Sequence, residues 1–113
     1  MRGLTVRWSL ADTPTESLDE LRDYVDDVSH ARFSALAGLR FKTWRARPGE
    51  WFEGTYVFAD DAVRAEFQAG FAAGAADSPV SKILGRAPSL IEPCEVVAVA
   101  EGDAGFEASS RLD

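Results

Sequence analysis

Histidine, cysteine and long apolar runs are all scarce in this chain, and each scarcity removes a class of function. The single cysteine, Cys94, has no second thiol to pair with, so no internal disulfide and no cysteine-rich metal centre can be assembled. That suits a reducing, cytoplasmic setting. One histidine, His30, excludes a multi-histidine centre within one chain, and no helix or loop spaces His, Asp and Glu as metal ligands. Nor is there a glycine-rich loop to cradle phosphate. No metal, flavin or haem is therefore expected. No stretch approaches the roughly 20 apolar residues that cross a bilayer, and no basic segment with an apolar run behind it opens the chain. Neither a membrane span nor export is expected. Basic residues are outnumbered, 12 Lys and Arg against 19 Asp and Glu, and the resulting net charge of −7 repels nucleic acid and anionic membranes.

What is present is ordinary for a folded soluble domain: 113 residues, 46% hydrophobic and 27% charged, enough for one core. "LTVRWSL" at 4–10 alternates Leu4, Val6, Trp8 and Leu10 with polar residues, the period-2 signature of a strand with one buried face. "TPTE" at 13–16 offers Thr13 as N-cap, Pro14 at the first helical position and Glu16 to complete a capping box. The helix it starts would bury Leu18, Leu21, Val25 and Val28 and turn an acidic face to solvent. Two strands, roughly Leu39 to Arg47 and Trp51 to Phe58, flank turn residues at 48–50. A second helix behind Asp60 carries Val63, Phe67 and Phe71 at four-residue spacing to about residue 76, with Gly70 and Gly74 weakening it or admitting a close neighbour. "SPVSKILG" has the start and stop of a short helix, and "EVVAVAE" at 95–101 reads as a last strand.

The order is β-α-β-β-α-β: an α+β, ferredoxin-like arrangement with helices on one face of an antiparallel sheet. Residues 1–102 would form this domain and 103–113 a mobile tail. Segment 38–58 holds six of the chain's twelve aromatic residues, interleaved with charge. Strict alternation along its strands puts Phe41, Tyr56 and Phe58 under the helices with Leu4, Val6 and Trp8. It leaves Arg7, Arg40, Lys42, Trp44, Trp51 and Glu53 on the open face. Such a face suits an interface between two copies. Which face carries Trp44 and Trp51 stays open at this level.

"AGLRFKTW" followed by "EGTYVF" resembles the Gly-x-x-x-Lys-x-Trp and Gly-x-Tyr-x-Phe hairpin of the YdhR-like mono-oxygenase family, small members of the dimeric α+β barrel superfamily. Gly38, Lys42 and Trp44 match the first strand of that pattern, and Gly54, Tyr56 and Phe58 the second. Ala37 stands where a proline is common, and Glu53 where a second glycine is common. The resemblance implies a homodimer whose two sheets close a barrel, with a separate pocket in each subunit between sheet and helices. It also implies oxygenation of a small aromatic or polyketide-like substrate without metal or flavin.

For that chemistry His30 is the side chain whose ordinary pKa, about 6.5, suits a general base near neutrality, against the plain reading of a solvated helix-end histidine. Tyr56 would orient the substrate oxygen or, more plainly, fill core. Trp8, Phe33, Phe41, Trp44, Phe67 and Phe71 would wall a substrate cavity from water, or simply pack. Arg40, Lys42, Trp51 and Glu53 are the expected dimer-interface residues. Two other readings use the same residues: a cyclase or isomerase, and a non-catalytic dimeric ligand-binding or accessory protein.

Overall fold

In a computed structural model of the chain, which describes residues 1–112, the elements assemble as follows. Strand β1 spans Gly3–Ser9, and the first helical run comprises α1, Ser17–Tyr24, a single π turn over Val25–Ser29, and α2, His30–Ser34. The hairpin is β2, Leu39–Arg47, and β3, Trp51–Phe58, followed by α3, Asp61–Ala73, a short 3₁₀ turn, α4, Pro79–Leu84, and β4, Leu90–Cys94. The sheet order is β2-β3-β1-β4 with every neighbour antiparallel. The result is a small α+β domain compatible with a ferredoxin-like fold.

Local chemistry accounts for most element ends. Asp60 caps α3 by accepting a 2.8 Å hydrogen bond from the Val63 amide, Pro79 occupies the first turn of α4, and Gly85 ends it at φ +68°. Gly38 sits at φ +84°, and any Cβ there would press against the Val63 side chain, so this turn requires glycine. The expected capping box does not form. The Thr13 hydroxyl donates instead to the Leu10 carbonyl at 2.7 Å, closing a tight turn, and the helix begins later, at Ser17.

The last strand also lies earlier than its pattern predicts. β4 runs Leu90–Cys94 rather than 95–101, pairing with β1 from Arg7 opposite Leu90 to Gly3 opposite Cys94, where β1 itself begins. Among the described residues the pairing ends at Cys94, and Val97 and Val99 lie exposed at 95% and 59%. Pro93 is tolerated within β4 because this is an edge strand.

Two local insertions reset which side chains face inward. In the first helical run the buried positions are Leu21, Val25, Ser29 and Phe33, four apart throughout, and Val28 is 51% exposed. The π turn supplies the extra residue that this spacing needs, so Ser29 takes the inward place expected for Val28. In β2, Leu39 pairs with Phe58 and Phe41 with Val57, leaving Arg40 as a bulge. Every later residue of β2 is thereby inverted relative to simple alternation. Lys42 and Trp44 fall beside Tyr56 and Gly54 on the helix-covered face, and Phe41, Thr43 and Arg45 fall on the open one. The core on the covered face is Leu4, Val6, Trp8, Leu21, Phe33, Phe52, Tyr56 and Phe58.

Candidate functional site

Between the covered face and the helices lies a cavity of about 220 Å³. Its sheet side is made by Trp8, Lys42, Trp44, Gly54 and Tyr56, and its helix side by Ser29 and Phe33 from the first run and Gly70, Phe71 and Gly74 from α3. A Cβ at Gly70 or Gly74 would meet nothing within 4 Å, so the two glycines leave the cavity open rather than admitting a close-packed neighbour. Rings meet edge-on around it: Phe33 with Trp44 at 6.1 Å, Phe33 with Tyr56 at 5.7 Å, and Trp8 with Phe71 at 6.2 Å.

Lys42 is the polar centre of this wall. Its Nζ lies 3.4 Å from the Phe33 ring centroid, 4.4 Å from Tyr56 and 4.5 Å from Trp44, and it has no carboxylate partner among the described residues. Burial, reinforced by the positive charge of Arg32, holds its amine well below the ordinary lysine range. Burial pushes the Tyr56 phenol well up, Arg32 pulling against the rise and Tyr24 adding to it, so Tyr56 is a neutral hydrogen-bond donor at physiological pH. Both groups converge on Gly54: a Cβ there would come within 3.0 Å of Lys42 Cε and 3.2 Å of Tyr56 Oη. Among the described residues no Asp or Glu lines the cavity, and its charged lining groups are Lys42 and Arg32. An acidic chain thus encloses a basic, aromatic chamber, able to take a proton at one point and to donate a hydrogen bond beside it.

Of the residues singled out from the sequence, Trp8, Phe33, Trp44, Tyr56 and Phe71 line this cavity. Phe67 stands behind the wall, its ring packed on Phe33, Tyr56, Phe58 and Phe71. Phe41, expected under the helices, is on the opposite face against Phe106 at 5.4 Å, because of the Arg40 bulge. The same bulge takes Lys42 off the open face where an interface residue was expected, and Arg40 itself is exposed. His30 stacks on Trp44 at 5.8 Å but does not line the chamber; it faces a larger groove along the β2 edge. Segment 105–112 borders that groove, crossing from Phe41 to the first helical run, where Ser110 donates to Asp26 at 2.6 Å and Arg111 pairs with Asp23 at 3.1 Å. Lys42 was legible only as a motif residue. Its place in the chamber depends on the bulge, which nothing in the alternation marks.

On the open face Glu53 is fully buried, held by Arg7 at 2.9 Å and by Arg45. Both guanidinium groups also lie over the Trp51 ring, at 4.5 and 5.7 Å. Thr43 and Thr55 hydrogen-bond across the strands beside them. No family model matches this chain, and no curated protein is significantly similar to it.

Proposed function

We propose that the protein is a cofactor-independent mono-oxygenase of small aromatic phenols or enols, with Lys42 rather than His30 as the general base. The observation that carries this reading is an amine without a counter-ion among the described residues, held among three rings and beside a neutral phenol. A base must be unprotonated to act, and desolvation favours that state in lysine. In this reading the amine removes a proton from the bound phenol or enol, and the new ammonium, with Arg32, balances the anion. Tyr56 donates a hydrogen bond to the oxyanion, which would be stronger in the anionic state than in the neutral substrate. The electron-rich ring then reduces dioxygen directly: an aromatic C–H becomes a carbonyl, one oxygen atom enters the product, and the other leaves as water. Aromatic walls keep bulk water from the anion. The Lys-x-Trp and Gly-x-Tyr-x-Phe pattern of the hairpin supports the same reading.

The test is oxygen uptake with 1-naphthol, whose conversion to 1,4-naphthoquinone and water balances with one dioxygen. Lys42→Met should lower turnover by about 10²–10⁴-fold, the usual share of a general base, with His30→Ala much less affected. Oxygen uptake no faster than the uncatalysed rate, or full activity in Lys42→Met, would reject the assignment.

We also infer that two copies pair through the open sheet face. Trp51, the Arg7–Glu53–Arg45 cluster and the exposed Val97 and Val99 support this. Light scattering at micromolar concentration should give twice the 12.3 kDa chain mass; monomer alone would refute it.

A further inference from the structure

The amine that suits Lys42 for proton transfer also suits it for covalent capture, and the chamber selects what it would capture. An unprotonated lysine adds to a carbonyl carbon, and desolvation beside a second cation is a recognised way to keep it so. Lys42 has both conditions, the apolar rings and Arg32. The space in front of it is suitable: an apolar cavity of about 150 Å³ holds benzene, and this one is about 220 Å³. Ring edges and faces from Phe33, Trp44 and Tyr56 offer an aromatic ligand its partners. At Gly54 the absent side chain lets Lys42 Cε and Tyr56 Oη lie close over the strand, which sets amine and phenol side by side on one wall of the cavity. A neutral phenol there is placed to hydrogen-bond the carbonyl oxygen.

We propose that the chamber is a Schiff-base site for small aromatic aldehydes and ketones, with Lys42 as its nucleophile and Tyr56 as the proton donor. The amine nitrogen adds to the carbonyl carbon, and the oxygen takes a proton to give a carbinolamine. Loss of that hydroxyl as water, with the nitrogen proton passing to solvent, leaves the imine; no oxidant or reductant is involved. The inference rests on the same cavity as the oxygenation reading but not on dioxygen, so either can fail alone.

The chain carries its own controls. Lys82, the only other lysine, is exposed, and the terminal amine of Met1 is ion-paired with Asp61 at 2.6 Å. Protein treated with benzaldehyde and cyanoborohydride at pH 7 should gain a benzyl group on Lys42 at least tenfold faster than on Lys82 or Met1, located by peptide mass mapping. The bulkier 1-pyrenecarboxaldehyde should lose that preference. Tyr56→Phe should slow Lys42 labelling about tenfold without changing Lys82, a split that general unfolding would not produce. Prior occupation by 1-naphthol should slow it in the native chain. Equal labelling of the three amines, or no adduct on Lys42, would overturn the proposal.

Discussion

Replacing Lys42 by methionine should stabilise the protein, even though it removes the chamber's most reactive group. Desolvating an ammonium costs several kcal/mol. The three ring faces within 4.5 Å favour the charged form, by about 2 kcal/mol each at a desolvated site, and so offset part of this cost. Methionine has a similar unbranched reach, needs no solvation and keeps favourable sulfur contacts with the same rings. A net gain near neutral pH follows, each unit by which the pKa is lowered being worth about 1.4 kcal/mol, and about 1 kcal/mol raising the melting temperature by roughly 4–8 °C in a domain near this size. The pH dependence has a definite sign. Because the folded-state pKa of Lys42 lies below its unfolded value of 10.5, the unfolded chain binds more protons between those two values. The penalty is therefore complete below the folded pKa and fades as pH rises toward 10.5. Urea melts of both proteins at intervals from pH 6 to 10.5 should show the advantage of Lys42→Met shrinking across the alkaline range. A variant less stable than the parent at pH 7, or an advantage that does not change with pH, would refute the picture of a costly buried amine.

Two further outcomes test the rest of the sheet. Glu53→Ala leaves Arg7 and Arg45, whose side chains are already 37% and 56% exposed, free to rehydrate, so it should cost about 2–3 kcal/mol in a denaturant melt. The Arg7→Ala, Arg45→Ala pair strands a carboxylate and should cost more, about 3–5 kcal/mol; the opposite order would contradict the cluster as described. Phe67→Ala removes a half-buried ring that contacts four others, and should cost about 2–4 kcal/mol in the same assay. A loss below about 1 kcal/mol would mean that the wall repacks around the gap.

Element order was readable from periodicity and punctuation because both act over a few residues. Alternation in "LTVRWSL", the Asp60 cap and the Ser-Pro and Gly signals of α4 each correspond to a contact in the structure. The interior of the site was only partly readable. Tyr56, Trp8 and Phe71 follow from parity and helical spacing on elements without insertions before them. Lys42 and Phe41 exchange faces because parity is counted from the wrong origin once Arg40 is bulged. Val28 and Ser29 trade places for the equivalent reason in a helix. The final strand was displaced because sequence shows β-propensity but not the length of the partner it needs.

The bulge and the π turn share a genetic consequence. Each is one residue more than regular geometry requires, and each lies in an element that lines the same chamber, the π turn through Ser29 and β2 through Lys42 and Trp44. A one-codon deletion at Arg40 would only remove the bulge, with Lys42 still opposite Tyr56, but one at Ala46, between Lys42 and the turn that sets the register, would rotate Lys42 and Trp44 outward, bringing Phe41, Thr43 and Arg45 in. The reverse event, one inserted codon, would turn a surface lysine on an unremarkable sheet into a desolvated amine facing a cavity. In a strand edge like this one, length change by a single codon is a route to new interior chemistry that no point substitution provides.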